Sequence, residues 1–356
     1  MIIRLRKGAS QEDLAEVIQR IESSGFRPDV SVGTDTTLVG VLGNTRTLDE
    51  NVFRELECVE SVIRITRPYK LVSREYNPAT RQVRVGDRVF GDGGVVVMAG
   101  PCSVEGREQL LHLARAVKEA GAHILRGGAY KPRTSPYAFQ GLGREGLDYL
   151  AEARDAVGLP FITEATGTHH HPRGDGGVEE RPVLESVVES ADIVQIGTRN
   201  MKSYGLLEET GRLAGRAGKP VLLKRGESAT LEEFLLAAEY LVLHGCPDVL
   251  LCLRGIRTFE TQKFQRYTSD VAAIAVLKRE SNLPVVFDPS HATGDRHLVH
   301  AVALAAVAAG ADGLLIEAHA DPAAALSDGQ ECVTPEELAR IVRDVHRLEE
   351  IRGLAS

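Results

Sequence analysis

With 356 residues, of which 43% are hydrophobic and 26% charged, the chain is long enough to bury one large core and a small second one. A net charge of −8, with no Lys/Arg tract interleaved with aromatics, argues against a nucleic-acid partner. No apolar run approaches the ~18 residues of a membrane span, and the start does not resemble a signal peptide. Five cysteines without a disulfide spacing fit a reducing compartment, so a cytoplasmic enzyme without a membrane partner is expected.

Residues 1–70 read as a module of their own. Ile2 to Arg6 is strand-like, and Ser10 with Asp13 three residues on nearly forms a capping box for a helix whose apolar face is Leu14, Val17, Ile18 and Ile21. Strands around Val30 to Val32 and Thr36 to Leu42, a helix from Leu48 to Leu56 and a strand from Val59 to Ile65 complete a βαββαβ order, the ferredoxin-like pattern. The module carries no motif that does chemistry, so its expected role is binding or assembly. Residues 71–92 hold the end of a polar connector (Arg67 to Asn77) and a β-hairpin around Gly86 and Asp87, placed to plug the barrel that follows.

Residues 93–356 hold eight short apolar runs rich in β-branched residues, separated by helical stretches such as Glu108 to Ala120, Leu231 to Leu243 and His297 to Ala309. That alternation predicts an α/β fold, a (β/α)₈ TIM barrel with its active site at the C-terminal strand ends. The runs end in residues able to do chemistry: Cys102, Arg126, Glu164, Arg199, Lys224, Arg254, then Asp288 and His291, then Glu317 and His319. One connection breaks the spacing. The His169 to Gly177 loop (HHHPRGDGG) is longer than a barrel needs and reads as a flexible lid or rim; adjacent histidines rarely converge on one ion.

Two constellations point to chemistry. Cys102, His291, Glu317 and Asp328 lie at or beyond the ends of the first, seventh and eighth strands, where a closed barrel brings them together. Thiolate, imidazole and carboxylate suit a borderline divalent ion (Mn, Fe, Co or Zn). The competing explanation is a buried small hydrophobe at Cys102 and a hydrogen-bonded loop histidine at His291. The second constellation is cationic: Arg126, Lys131, Arg133, Arg199, Lys224 and Arg254 all follow strand ends. Pro132 and Pro136 bias their predecessors toward extended backbone, so Lys131 and Arg133 point the same way, with Thr134 and Ser135 as hydroxyl donors to a phosphate. Solvated surface charge explains poorly why cations end four separate apolar strands; an anionic substrate explains it.

The segments GPCSVEGREQLL, LRGGAYKPRTSPYAFQGLG, PVLLKRG, RGIRTFE, DPSHATG and ALSDGQE resemble the type I 3-deoxy-D-arabino-heptulosonate 7-phosphate (DAHP) synthases that carry an N-terminal ferredoxin-like regulatory domain. The likeness runs from Met1 to about Leu348, and KPRTSPY sets it apart from the sister enzymes that make 3-deoxy-D-manno-octulosonate 8-phosphate. The resemblance implies condensation of phosphoenolpyruvate (PEP) with erythrose 4-phosphate, the entry step of the shikimate pathway. It implies metal ligands Cys102, His291, Glu317 and Asp328, with PEP held by Arg126, Lys131, Arg199, Lys224 and Arg254. The sugar phosphate falls to Arg133, Thr134 and Ser135, while Glu164 handles a water and Lys131 a proton. An aromatic amino acid effector and a homo-oligomer, tetramer or dimer, are also implied.

Three positions depart from the family pattern. Leu253 stands where a glutamate is usual, the loop after Glu164 is long, and Asp29 replaces a histidine usual in effector-binding members. Another aldose phosphate as acceptor, or a catalytically weakened regulatory barrel, are the rival readings.

Overall fold

The computed structural model of the protein describes residues 1–32, 37–43, 45, 48–64, 67–132, 137, 139–172, 177–259, 264–351 and 353. Arg133, Thr134 and Ser135, and residues 173–176 of the long loop, lie outside them. Two compact units follow one another, Met1–Pro78 and Ala79–Ser356.

In the first unit, strand Ile2–Leu5, helix Gln11–Ser23, strands Arg27–Val32 and Thr37–Leu42, helix Asn51–Arg54 and strand Val59–Ile63 occur in the expected βαββαβ order. The sheet is antiparallel with sequence order 2-3-1-4. Ser10 and Asp13 close a full capping box, which fixes the start of the first helix and turns Val17 and Ile21 onto Ile3, Leu5, Val39 and Val41. The second helix is only four residues long, shorter than predicted, and no side chain caps its start. The connector ends inside this unit. The Tyr76 hydroxyl donates to the Asp29 carboxylate, and its ring covers Gly40, where a Cβ would lie 2.7 Å from the ring.

In the second unit eight parallel strands close a barrel. In chain order they are Val96–Gly100, Ile124–Arg126, Phe161–Glu164, Ile193–Ile196, Val221–Lys224, Val249–Leu253, Val285–Phe287 and Gly313–Glu317. The first and eighth pair in register, with Glu317 beside Gly100, so residues far apart in sequence become neighbours. Continuous apolar runs are what such strands require, because helices cover one face and the barrel interior the other. Thr230 and Glu233 form a capping box that starts helix Leu231–Leu243, which buries Phe234, Leu235, Ala238 and Leu241. The hairpin Val83–Val85 with Arg88–Phe90 packs into the barrel core: Val83, Val85 and Phe90 join Met98, Ile124, Ile193, Leu250 and Leu315 in one cluster. Gly313 makes room for that hairpin, since a Cβ there would meet the Phe90 ring at 2.9 Å. No helix of the described residues is long and apolar enough to cross a membrane.

Candidate active site

A pocket is lined by Arg126, Lys131, Glu164, Arg199, Lys224, Arg254, His291 and Asp328, all expected from the sequence, together with Gln195, Glu227 and Arg266, which were not. Cys102 and Glu317 are buried beside it. The Lys131 ammonium donates to the Cys102 carbonyl at 2.9 Å and lies 3.0 Å from its sulfur. Gly128 permits this approach, because a Cβ there would lie 2.6 Å from the Cys102 carbonyl oxygen. The thiol faces Asp328 Oδ2 at 3.0 Å and Ser327 Oγ at 3.1 Å. Arg126 Nη1 donates to Glu317 Oε1 at 2.7 Å, a pair with both members buried.

The DPSH segment builds its own ligand. Asp288 caps the short helix Pro289–Thr293, with proline at the first helical position, and its Oδ1 accepts the His291 amide at 2.9 Å. Its Oδ2 accepts Lys224 Nζ at 2.5 Å and lies 2.8 Å from His291 Nδ1. That fixes the ring and turns Nε2 toward the site. Burial depresses the imidazole to about 4, so His291 is neutral and able to ligate. Burial opposes a charge on Asp288, yet the His291 ring and the Lys224 ammonium hold it well below the usual carboxylate range.

The donor atoms fall into two overlapping groups, Cys102–Glu317–Asp328 and His291–Glu317–Glu331, each with its atoms within 4.8 Å of one another. Glu317 belongs to both. Glu331, which the sequence reading did not single out, therefore takes its place in the second group. Burial pushes the Cys102 thiol up to about 12, with Glu317 adding to the shift, so the thiol stays protonated until a cation takes its place. Burial opposes the charge on Glu317, but Arg126 brings its carboxyl down to about 2. The same opposition on Asp328 is overcome by its hydrogen bond with Cys102 and by His291. Asp328 also holds a left-handed backbone at φ 54°, a conformation that asparagine and aspartate tolerate best and that tends to mark functional positions.

Arg254 stands apart among the cations. It is 3% exposed, stacked 4.1 Å from the Tyr267 ring, and its Nε and Nη1 have no hydrogen-bond partner among the described residues. Arg254 lines the same pocket as Lys224 and Arg126, and a buried guanidinium with idle donors suits an anionic group. In the same pocket, Glu164 accepts Gln195 Nε2 at 3.2 Å. Gly197 is obligatory for that placement: a Cβ there would fall 1.9 Å from Glu164 Oε1. Arg199 Nη1 donates to the Pro132 carbonyl at 3.2 Å. Leu253 is buried at the end of the sixth strand. His319, which also ends a predicted run, is held by Gln109 and the Asp321 amide.

The described flanks of the long loop are not a loose rim but an antiparallel pair, His170–Pro172 with Val178–Pro182. Buried Glu179 anchors it: one oxygen accepts the Tyr130 hydroxyl and the other the Arg144 amide, both at 2.7 Å. The hairpin thus ties down both ends of the segment between Tyr130 and Arg144. Glu179→Ala strands two donors at a cost of about 1–3 kcal/mol each, so the melting temperature should fall by several degrees. Thermal denaturation checks this, and an unchanged melting temperature would refute the anchoring.

This is a barrel enzyme with a cation-lined pocket at the ends of its strands. Residues 75–352 match the DAHP synthetase I family and residues 1–67 the DAHP synthase ferredoxin-like domain. The chain belongs to the DAHP synthetase I family. It is 44% identical, over 99% of both chains, to the phospho-2-dehydro-3-deoxyheptonate aldolase of Thermotoga maritima. The crystal structure of that DAHP synthase superposes with a TM-score of 0.74, covering 99% of this chain and 98% of the other. The 2-dehydro-3-deoxyphosphooctonate aldolase of Bradyrhizobium diazoefficiens is 31% identical over 73% of this chain and 92% of its own. The family is metal-dependent, and the described residues offer groups able to hold an ion.

Proposed function

We propose that the chain condenses PEP with erythrose 4-phosphate to give DAHP and inorganic phosphate, the first step of the shikimate pathway. The observation that carries this reading is Arg254, a buried cation with idle donors, in a pocket it shares with Arg126, Lys131, Arg199 and Lys224. These five hold the phosphate and carboxylate of PEP. Arg133, Thr134 and Ser135 hold the sugar phosphate, in keeping with the family motif.

Cys102, His291, Glu317 and Asp328 would hold the divalent ion, of the Mn, Fe, Co or Zn kind; Cys102, Glu317 and Asp328 form one donor group and His291 joins it through the shared Glu317, and thiol, neutral imidazole and carboxylates suit such an ion. Bound there, the ion supplies Lewis-acid polarisation of the aldehyde oxygen. Lys131, raised in pKa because Cys102 and Glu317 outweigh the cost of burial, gives a proton to that oxygen as C3 of PEP bonds to the aldehyde carbon. Glu164 orients a water toward C2 of PEP and takes its proton. The C2–O bond to phosphate then breaks, the proton of the new C2 hydroxyl passes to the departing phosphate, and the ketone remains.

Metal-depleted protein titrated with single ions, and assayed with PEP plus erythrose 4-phosphate or arabinose 5-phosphate, tests the reading. Ion-restored turnover of the four-carbon sugar is expected. Preference for the five-carbon sugar would move the chain to the octulosonate activity, and turnover without any ion would refute the metal role.

In the same reading the first unit is the regulatory element of a homo-oligomer, tetramer or dimer, with an aromatic amino acid as effector. Tyrosine or phenylalanine is expected to inhibit the full chain and not a chain starting at Ala79. Indifference of both chains would reject aromatic feedback and leave the unit an assembly role.

A further inference from the structure

Glu331 ends the short turn Gly329–Glu331 that follows Asp328, and it is completely buried. Its Oε2 accepts Arg266 Nη1 at 2.7 Å. Its Oε1 is also buried, has no hydrogen-bond partner among the described residues, and lies 3.8 Å from His291 Nε2. Glu317 Oε1 lies 3.6 Å from the same nitrogen. Neither separation is a hydrogen bond, which requires about 3.2 Å or less for N–H···O. Both suit two ligands of one ion, since donors about 2.0–2.2 Å from a shared cation sit roughly 3–4 Å apart.

The placement of the ring leads to the same residues. Nδ1 of His291 lies 2.8 Å from Asp288 Oδ2, while Nε2 lies 3.6 Å from Glu317 Oε1 and 3.8 Å from Glu331 Oε1, which makes Nε2 the nitrogen turned toward the two glutamates. A buried carboxyl oxygen with no hydrogen-bond partner is costly to keep. Arg266 does not offset that cost, because it engages the other oxygen while also reaching Asp328 Oδ1 at 3.6 Å. It draws the two acids of the 328–331 turn toward the pocket and leaves Oε1 facing inward.

We propose that Glu331 is a further protein donor to the divalent-ion centre, entering on the His291 side beside Glu317. This rests on the metal-dependent reading above and adds to its four ligands. A further carboxylate shifts the donor set toward oxygen, which favours Mn(II) relative to ions that gain most from the Cys102 thiolate, such as Zn(II).

The test uses the full-length chain stripped of metal, with Mn(II) alone and then Zn(II) alone as probes. Binding is followed by calorimetry and by the electron paramagnetic resonance of bound Mn(II). Glu331→Gln keeps a carbonyl oxygen for Arg266, so a role confined to holding Arg266 predicts equal changes for Mn(II) and Zn(II) and an unaltered Mn(II) spectrum. The proposal predicts Mn(II) affinity lowered roughly ten- to hundredfold, a smaller loss for Zn(II), and an altered Mn(II) spectrum. Glu331→Asp, which keeps the charge but withdraws it by one methylene, should fall between and serves if the glutamine variant does not fold. Cys102→Ser is run alongside. Wild-type Mn(II) affinity and spectrum in Glu331→Gln, with binding lost in Cys102→Ser, overturns the role of Glu331 alone. A wild-type chain that binds no Mn(II) overturns the metal reading with it.

Discussion

Cys102→Ser should lower turnover of PEP with erythrose 4-phosphate by about a hundredfold or more, and leave the melting temperature of the metal-free protein near that of the wild type. The two halves have separate causes. The fold is spared because a serine hydroxyl can take over the thiol's contacts with Asp328 Oδ2, Ser327 Oγ and Lys131 Nζ. Activity is not, because a hydroxyl binds a borderline ion far less well than a thiolate, and even losses outside the ligand set cost ten- to hundredfold in metal affinity or activity. Metal content per chain, measured beside kcat with added Mn(II), checks the cause. A serine variant with full, metal-independent turnover would remove Cys102 from the site.

The barrel was legible because its strands are buried on both faces. Val96–Gly100 and Gly313–Glu317 are unbroken apolar runs in sequence, and each leads into a residue that reaches the pocket or its floor. Closure also explains how Cys102 and Glu317 could be paired on paper, since the first and eighth strands must meet. Glu331 and Arg266 were not legible for the opposite reason. Their side chains are aimed by the left-handed turn at Asp328 and by the loop before helix Ala272–Glu280, and no periodicity encodes either direction. The hairpin that Glu179 anchors does carry a signal, since two short segments flanking a glycine-rich stretch are the mark of a hairpin, but the run of histidines within it obscures the pairing. The helix Asn51–Arg54 is shorter than the Leu48 to Leu56 stretch read from the sequence, and no side chain caps its start.

Replacing Arg254 by methionine separates binding from stability in a second way. The guanidinium is buried with two N–H groups unpaired among the described residues, so an apolar side chain of similar length should leave the metal-free protein as stable as the wild type, or more so. The expected cost appears only with substrate. Two lost charge-assisted hydrogen bonds of about 1.5–3 kcal/mol each predict a fall in kcat/KM for PEP of roughly a hundred- to ten-thousandfold. Erythrose 4-phosphate should be affected much less. Arg133→Ala supplies the mirror image, since removing one contact to the sugar phosphate should cost erythrose 4-phosphate roughly ten- to hundredfold and PEP little. Steady-state kinetics with each substrate varied in turn, together with melting curves, decides both. Equal losses for the two substrates in either variant would dissolve the assignment of the pocket's two ends. A large drop in melting temperature for Arg254→Met would show that the arginine serves the fold and not the anion.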